Sequence, residues 1–441
     1  MLILVNVLDK DDREVNTIHE QLVRRLIGWI DIPFSTIFSF GKIDGWLRLR
    51  RPNFHTEYSI PDSPSYIKVL IAFKPSIIPP RIIPPRLLDS LENEKIISQC
   101  QSWLNTCNSL YNSRRYIALV TDINGKAVLA CRYLCPVSPP PVIPQSDATN
   151  PMKPIKIAAR LVSMIPFITD PVLFPGSTDL WTSNEKFLSL GCGDEEEHAV
   201  LLCCWLLSLE ITSYLVLGSS LPEGLKAAYV LVMLPDGIYL INPCDGSVYS
   251  STDPMCPFIS IGTIITSTNI YGNIQSFSHP SQMRFDLNKT NDWRPVFDKQ
   301  LVELRSLQSA SLIYTQISDD VIVELRSAIE REIKLCFDEA RQYGIPQWNL
   351  MASRLLRELM QDEQHTVDNR FGRLRESYTV TATAITIPYR SIQDCVNAVL
   401  RCALHTTTSV STQFALAVHL QPVFHNVIIC NIAIAMLTLR K

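Results

Sequence analysis

The prolines of this 441-residue chain are unevenly distributed, and their clusters limit where regular structure can form. Eighteen of the 29 prolines fall between Pro52 and Pro175, and they include a tandem repeat in which residues 77–81 and 82–86 are identical. Proline restricts φ and has no N–H to donate, so such stretches favour extended connectors over helices or central strands. The clusters predict a chain divided into several segments, with a semi-rigid spacer favoured over an SH3-type ligand at the repeat.

Composition and charge exclude several classes of function. Only 15 glycines are present, and neither a Walker loop nor a G-x-G-x-x-G turn occurs, which excludes the familiar glycine-rich phosphate sites. The formal net charge of −3 gives no electrostatic basis for binding nucleic acid. Hydrophobic residues make up 46% of the chain, enough to fill packed cores. Thirteen cysteines without a C-x-x-C pair predict free thiols in a reducing cytosol, with no metal or cofactor.

Two apolar runs have lengths comparable with membrane spans. Residues 199–218 contain Glu210, and residues 423–439 contain His425 and Asn431. A transmembrane helix needs about 20 predominantly apolar residues with few or no charges. Both runs therefore predict buried core elements rather than a transmembrane span. The N-terminus has a short apolar stretch without a basic region before it, which predicts no signal peptide.

The spacing of apolar residues divides the chain into four predicted segments, which are 1–60, 61–154, 155–300 and 301–441. The first contains strand-like runs that are too few for a complete sandwich. The second is a proline-rich linker around a small helix and a hairpin at Asn124-Gly125. The third has helices followed by strands, with one strand expected at 274–277. The fourth segment carries amphipathic helices and two strands and is expected to pack on the third segment. Together the four segments predict an α+β fold.

One stretch has the element order of the papain-like transglutaminase core. A helix begins after Gly193, and two later strands are joined at Pro235-Asp236-Gly237. In active members a Cys opens the helix, where the dipole stabilises its thiolate, a His begins the next strand and an Asp ends the one after. This sequence resembles that core over residues 185–250, but all three catalytic positions are changed. They are Glu195, Ala227 and Asn242.

The three changes predict a pseudoenzyme without catalytic residues, because Glu cannot act as a thiolate and Ala cannot transfer a proton. One alternative retains cysteine peptidase or transglutaminase activity through a relocated pair, Cys192 before the helix and His198 within it. That pair has no evident third group to orient the ring. Residues 194–197 are all acidic and complement the helix dipole. Four consecutive acids on a helix are not expected to converge on a calcium ion.

Several motifs, in one order along the chain, resemble the coiled-coil and C2 domain-containing protein 2A family. They are Gly28-Trp29-Ile30-Asp31-Ile32-Pro33-Phe34, Asp179-Leu180-Trp181, Gly193-Asp194-Glu195-Glu196-Glu197-His198-Ala199, Asn269-Ile270-Tyr271-Gly272 and Phe414-Ala415-Leu416-Ala417-Val418. The resemblance implies that residues 1–60 are the last strands of a C2 sandwich and that residues 155–300 are a degenerate transglutaminase-like domain. It also implies a C-terminal fragment, or a gene model that starts at an internal Met.

The resemblance further implies a non-catalytic scaffold of the ciliary transition zone or basal body, within the cytoplasm and cytoskeleton, needed for cilium assembly and gating. Expected partners are tectonic and B9-domain proteins and also tubulin tails, although the acids around Glu195 disfavour a glutamylated tail. A C2-type lipid-binding module is a further alternative. Calcium-binding C2 domains clamp the ion between two loops, so Asp9, Asp11 and Asp12 are expected to be ordinary turn residues.

Overall fold

The computed structural model groups the chain into two compact units. It describes residues 2–11, 23–75, 77, 89–145, 150–176, 179–299, 304–309, 311–361, 372–409 and 411–440. The first unit consists mainly of residues 32–47 and 68–315, and the second of residues 3–31, 48–67 and 316–441. Most of the proline repeat predicted as a spacer lies outside the described residues, as does Asp12.

A seven-stranded antiparallel sheet forms the centre of the first unit. Its strands, in spatial order, are Val248–Ser250, Gly237–Ile241, Gly224–Leu234, Ser213–Ser220, Phe258–Ile265, Ile270–Asn273 and Trp293–Pro295. The long central strands are rich in Val, Ile and Leu, as expected for strands that are buried on both faces. Leu234 pairs with Gly237, so the predicted turn is a hairpin with Pro235-Asp236 as its two-residue loop.

The prediction of a strand at 274–277 is wrong, because the structure places this strand at Ile270–Asn273. The chain turns after Asn273, because the side-chain Oδ1 of this residue accepts a hydrogen bond from the Gln275 N–H at 3.0 Å. Asparagine favours such turns, in which its side chain replaces a backbone acceptor. The Asn273 amide also donates to the Ile261 carbonyl at 2.9 Å, which anchors the turn to the neighbouring strand.

Helices and two small strand pairs surround this sheet. The α-helices are Phe34–Phe40, Glu94–Leu110, Met152–Val162, Asp170–Leu173, Asn184–Leu190 and Glu195–Ser208, and the 3₁₀ helices are Ala130–Tyr133 and Pro280–Gln282. The strand pairs are Lys42–Arg48 with Tyr66–Ala72 and Leu119–Thr121 with Ala127–Leu129. Glu195–Ser208, called the site helix below, packs on Ser213–Ser220 and Gly224–Leu234. All its residues through Leu206 are buried.

The second unit contains a five-stranded sheet. Its strands, in spatial order, are Gln347–Trp348, Gln413–Phe424, Val427–Leu439, Tyr378–Pro388 and Phe54–His55. Its helices are Asp319–Ala340, Leu350–Gln361, Gly372–Ser377 and Ile392–Arg401, with a 3₁₀ helix at Leu404–Thr406. The hairpin strands Leu2–Asp11 and Val23–Pro33 pair with each other, so Asp9 and Asp11 lie in a strand and not in the turn that was expected.

The two faces of the five-stranded sheet differ in side-chain size. One face carries two rows of alanine across the three long strands, Ala384–Ala433–Ala417 and Ala382–Ala435–Ala415. These alanines pack in one cluster with Leu356 and Leu359 of helix Leu350–Gln361. The other face carries Ile, Val, Leu and Phe side chains, which pack against helices Asp319–Ala340 and Ile392–Arg401. Small residues leave room for a helix to lie close to the backbone, so the alanine rows determine how that face is covered.

The two units cut across the four predicted segments. Residues 1–60 are divided between them, because Phe54–His55 pairs with Tyr378–Pro388 while Phe34–Phe40 belongs to the first unit. The predicted linker 61–154 is divided as well, because residues 61–67 belong to the second unit and the rest, from residue 68 onward, to the first. Its helix begins at Glu94 rather than near 87, since Asn93 caps it by accepting the Ile96 N–H at 2.9 Å.

The two apolar runs are predicted to be core elements, and their secondary structure supports this prediction. Residues 199–218 contain the last part of the site helix and the first part of strand Ser213–Ser220. Residues 423–439 lie largely in strand Val427–Leu439. Among the described residues, no helix combines the length and hydrophobicity that crossing a membrane requires. All thirteen cysteines carry free thiols.

Candidate functional site

The site helix begins in a cluster of buried acids. The Asp194 side chain accepts a hydrogen bond from the Glu196 N–H at 3.2 Å, and the Glu197 carboxylate accepts one from the Asp194 N–H at 3.2 Å. This reciprocal capping satisfies N–H groups that have no partner within the helix. The three side chains are only 1% to 4% exposed. Because solvent does not screen them, these carboxylates need protons or counter-charges in addition to the helix dipole.

Two basic side chains from distant parts of the sequence face these acids. Arg115 forms an ion pair with Glu196 and donates to the Ala227 carbonyl at 3.3 Å. A carboxylate oxygen of Asp179 lies 3.9 Å from the Arg115 guanidinium and 3.2 Å from the Lys226 ammonium. Sequence analysis missed Arg115, Asp179 and Lys226. The separation of 81 residues between Arg115 and Glu196 leaves no local pattern that could have found the pair.

Burial and mutual repulsion separate the pKa values of the acids. Burial, together with the nearby Glu196, holds the pKa of Glu195 and that of Asp194 well above the usual range. Burial also raises the pKa of Glu197 to about 7 and that of Asp170 to about 6. For Glu196, burial opposes ionisation, but the guanidinium described above outweighs it and lowers the pKa. Glu196 is therefore the ionised member of the cluster, beside neighbours that favour their protonated forms.

His198 is fully buried between two backbone carbonyls. Its Nδ1 lies 2.6 Å from the Asp194 carbonyl oxygen, and its Nε2 lies 3.0 Å from that of Ile165. The Phe187 ring packs edge-on against the imidazole, with ring centroids 4.9 Å apart. Because both ring nitrogens face hydrogen-bond acceptors, neither points toward a thiol. The geometry assigns His198 a structural role that ties the helix start to residues 163–166.

Cys192 lacks the surroundings of an activated thiol. Its side chain is half-buried, and the Sγ donates weakly to the Leu190 carbonyl at 3.6 Å. Burial raises the pKa of Cys192, whereas a nucleophilic cysteine requires a lowered pKa. The contacts of Cys192 and His198 therefore do not assemble the relocated pair.

Ala227 and Asn242, the two strand positions predicted to replace the His and Asp of the triad, lie near a second polar group. Asn242 donates through Nδ2 to Glu223 Oε1 at 2.6 Å and to the Tyr229 hydroxyl at 3.0 Å. Ser220 donates to Glu223 Oε2 at 2.6 Å. Ala227 is fully buried in the apolar cluster that also contains Tyr229. Sequence analysis missed Glu223 and Tyr229, although strand alternation places Tyr229 on the same face as Ala227.

Carboxylate oxygens at the helix start converge, contrary to the expectation for consecutive acids. Asp194, Glu195 and Glu196 each offer an oxygen within 4.8 Å of the others, and so do Asp170, Asp194 and Glu197. The convergence arises because Asp194 is the N-cap, with an extended backbone at φ −101° and ψ −161°. Its side chain turns back over the first helical turn, where a residue within the helix would point away.

Comparison with known proteins places this site within a recognised domain. Residues 179–296 match the model of the CEP76 peptidase-like domain. Protein CC2D2B of Homo sapiens is 27% identical over 436 residues, covering 93% of this chain and 30% of the relative. Coiled-coil and C2 domain-containing protein 2A of Drosophila melanogaster is 26% identical over 324 residues, covering 70% of this chain and 24% of the relative.

A third relative shares a shorter region. Centrosomal protein of 76 kDa of Homo sapiens is 25% identical over 206 residues, which is 43% of this chain and 30% of that protein. The chain thus spans less than a third of the length of each of these relatives. The α+β fold with a peptidase-like domain is confirmed. The resemblance that the motifs indicated is also confirmed, because the chain is similar to two coiled-coil and C2 domain-containing relatives and residues 179–296 match the CEP76 peptidase-like domain.

Proposed function

We propose that this chain is a non-catalytic structural part of a scaffold at the ciliary transition zone, where it acts through protein–protein contacts. The observation that carries the proposal is Glu195 at the first position of the site helix. There the active enzymes of this fold hold the nucleophilic cysteine. A carboxylate at this position, buried and favouring its proton, cannot form the thioester through which such enzymes act.

The other two triad positions support the same proposal. Ala227 offers only a methyl group where a general base is required. The amide of Asn242 donates its hydrogen bonds to Glu223 and Tyr229, so it is engaged in a local polar group rather than in orienting an imidazole. His198, the nearest histidine along the sequence, is held between two carbonyl oxygens. The domain thus resembles an acyl-transfer enzyme in fold, while these three positions lack the groups that move protons or electron pairs.

The similarity to centrosomal protein of 76 kDa supports a location at centrioles or cilia. We propose tectonic and B9-domain proteins as partners, following the family resemblance. Tubulin tails are a less favoured proposal, because residues 194–197 around Glu195 are all acidic and supply no positive charge for a glutamylated tail.

Localisation tests the scaffold role. The chain, fused to a fluorescent tag, is expressed in ciliated cells whose basal bodies and axonemes are marked. A spot between the two markers is expected, together with recovery of tectonic and B9-domain proteins by proximity labelling. The tag alone is the control. A diffuse cytosolic signal from the folded chain, without a spot at the ciliary base, contradicts the proposal.

Two biochemical measurements test the alternatives. A thiol-directed activity probe is expected to label Cys192 no faster than an ordinary half-buried thiol, with Cys192→Ala as the control. Rapid labelling that Cys192→Ala abolishes would instead indicate an enzyme. Sedimentation with anionic liposomes tests the lipid-binding C2 alternative, and no binding is expected with or without calcium.

A further inference from the structure

We infer that strand Tyr66–Ala72 binds an extended, acidic segment of a partner protein, which adds to the strand along its open edge. This strand and its neighbour Lys42–Arg48 form a two-stranded sheet, called the ribbon below. The inference deepens the scaffold role and rests on it in one respect, namely that the chain acts through protein–protein contacts. It assigns such contacts to one surface and gives the partner a chemistry.

One face of the ribbon is buried against the first unit. Ile43 and Leu47 are each 1% exposed. Just after the other strand, the Phe73 ring packs edge-on against that of Phe34, with ring centroids 5.4 Å apart. Because side chains alternate between the two faces of a strand, these contacts determine which residues point outward.

The outward face of the ribbon presents large apolar side chains to solvent. Its members are exposed, and they are Lys42, Asp44, Trp46, Lys68, Leu70 and Ala72. The exposed fraction is 54% for Trp46 and 71% for Leu70. Covering apolar surface of this kind stabilises a complex, and tryptophan is frequent among the residues that contribute most to binding. We therefore expect Trp46 and Leu70 to anchor the partner.

Strand Tyr66–Ala72 also has a backbone edge that can pair. Among the described residues it pairs only with Lys42–Arg48, so every second residue directs its N–H and C=O groups away from the ribbon. The strand contains no proline, which would remove a donor. Two strands alone are marginally stable, and a third adds main-chain hydrogen bonds. Strand addition of this kind is a recurrent mode of peptide recognition.

The charges beside this edge favour an acidic partner. Lys42 and Lys68 lie on the outward face, and the exposed Lys74 follows the strand. The acidic member of the face is Asp44. Three cations against one carboxylate leave a positive surface, which attracts a segment that carries Asp or Glu.

Strand geometry gives the partner segment a sequence pattern. In an added strand, the residues opposite Lys68 and Leu70 are two positions apart and lie on the same outward face. The ribbon favours an acidic residue opposite Lys68 and an apolar residue opposite Leu70. The expected pattern is therefore acid-x-apolar for a parallel strand and apolar-x-acid for an antiparallel strand.

A designed peptide tests the inference. The probe is fluorescein-labelled Thr-Glu-Val-Leu-Val-Glu-Thr, whose symmetric sequence suits either strand direction. Titration of this peptide with the whole chain, followed by fluorescence anisotropy, is expected to show saturable binding. The same peptide with Lys in place of both Glu residues should bind about tenfold more weakly, because it places like charges beside Lys68.

Two variants test whether the peptide binds at the ribbon. Lys68→Glu should weaken binding of the acidic peptide about fivefold and strengthen binding of the Lys peptide, whereas Leu70→Thr should weaken binding of both. Both side chains are exposed, so each variant should keep the circular dichroism spectrum of the parent chain. The matched controls are Lys186→Glu and Leu110→Thr, since Lys186 and Leu110 are exposed on helices of the same unit.

Backbone methylation tests whether the peptide pairs as a strand. A strand added to an edge uses the N–H groups of every second residue. One peptide is therefore methylated at the nitrogens of both Val residues, and another at those of Leu and both Glu residues. One of the two should lose binding while the other retains it. Equal effects of the two methylation patterns would overturn the inference.

Other results would also overturn it. They are absence of saturable binding by the parent chain, and equal binding by Lys68→Glu. A dimer of the parent chain that dissociates in Leu70→Thr would assign the edge to a second copy instead. Binding to anionic liposomes that Lys68→Glu abolishes would assign the face to a membrane, which is disfavoured because anionic headgroups repel Asp44. Failure of the scaffold proposal has a different signature, a diffuse signal in cells while the peptide still binds.

Discussion

The two units bury their interiors by different means. The five-stranded sheet of the second unit is covered on both faces by apolar side chains, with alanine rows on one face and larger side chains on the other. In the first unit, the site helix begins with four consecutive acids that are at most 9% exposed. The interior of the second unit needs only side chains of complementary shape, whereas that of the first unit also needs counter-charges.

This difference determines what each interior needs in order to be stable. Apolar packing is stabilised by the area removed from water, and it needs no specific partner. Buried carboxylates are costly unless each has a proton, an ion pair or a cation, so they persist where they serve a purpose or where the fold compensates for them. The first unit pairs Glu196 with Arg115, and burial raises the pKa values of Asp194 and Glu195 beside it. The acids of the first unit therefore depend on ion pairing and protonation, which the apolar interior of the second unit does not need.

The largest expected effect comes from removing the counter-charge in the first unit. Arg115→Met should lower the free energy of unfolding by about 3–5 kcal/mol, because Glu196 is left ionised and buried without a partner. Urea unfolding followed by circular dichroism measures this loss. Adding Glu196→Gln to Arg115→Met should recover part of it. Lys226→Met, which removes a half-exposed ammonium, should cost under about 1 kcal/mol, and an equal loss in both single variants would contradict the assignment.

A smaller effect is expected from enlarging the alanine face of the second unit. Ala433→Leu inserts three carbon atoms between the sheet and helix Leu350–Gln361, so it should cost about 1–3 kcal/mol by overpacking. The same substitution at the half-buried Ala328 of helix Asp319–Ala340 is the control, with an expected change within about 0.5 kcal/mol. Thermal unfolding distinguishes the two. A neutral Ala433→Leu would show that the alanine rows do not determine helix packing.

The third expected effect is a pH dependence specific to the first unit. The pKa values of about 7 for Glu197 and about 6 for Asp170 exceed the ordinary values of 4.5 and 3.8. The folded state then holds more protons than the unfolded state between about pH 4 and 7, so stability should fall as pH rises through that window. Burial lowers the pKa of His198, which acts in the opposite direction below pH 6.5.

Chemical unfolding between pH 5 and 8 measures this dependence, and the two pKa values set an upper limit of about 4 kcal/mol for the change. Asp194, Glu195, Glu196 and Arg115 also face the titrating acids and share in the change. Asp170→Asn keeps an acceptor for the Leu180 N–H while removing one titration, so its profile should be flatter. Stability that rises steadily from pH 5 to 8 in the parent chain would contradict the raised pKa values.

Much of the local structure could be predicted from hydrophobic periodicity and turn residues. The hairpin at Asn124-Gly125 forms between Leu119–Thr121 and Ala127–Leu129, as its turn sequence indicated. The site helix begins at the expected residue because Asp194 and Glu197 form a recognisable capping pair. The strand expected at 274–277 was misplaced because the Asx turn at Asn273 outweighs an apolar run that periodicity alone would extend.

The sequence contains a pattern that could have predicted the alanine rows. Ala382-Thr383-Ala384, Ala415-Leu416-Ala417 and Ala433-Ile434-Ala435 repeat an A-x-A pattern in three strands. Alternation along a strand places both alanines of each pattern on one face. That they share the same sheet face depends on cross-strand register, which pairs Ala433 with both Ala384 and Ala417.

By itself, the sequence determined most of the elements and the α+β class, because capping, alternation and turn chemistry act between near neighbours. Tertiary structure decided that Arg115 faces Glu196, that Asn242 binds Glu223 and Tyr229, and that three carboxylates converge at the helix start. These contacts join residues that are far apart in the chain or that turn back over a helix cap. Their strength comes from burial, which removes the solvent that would otherwise screen each charge.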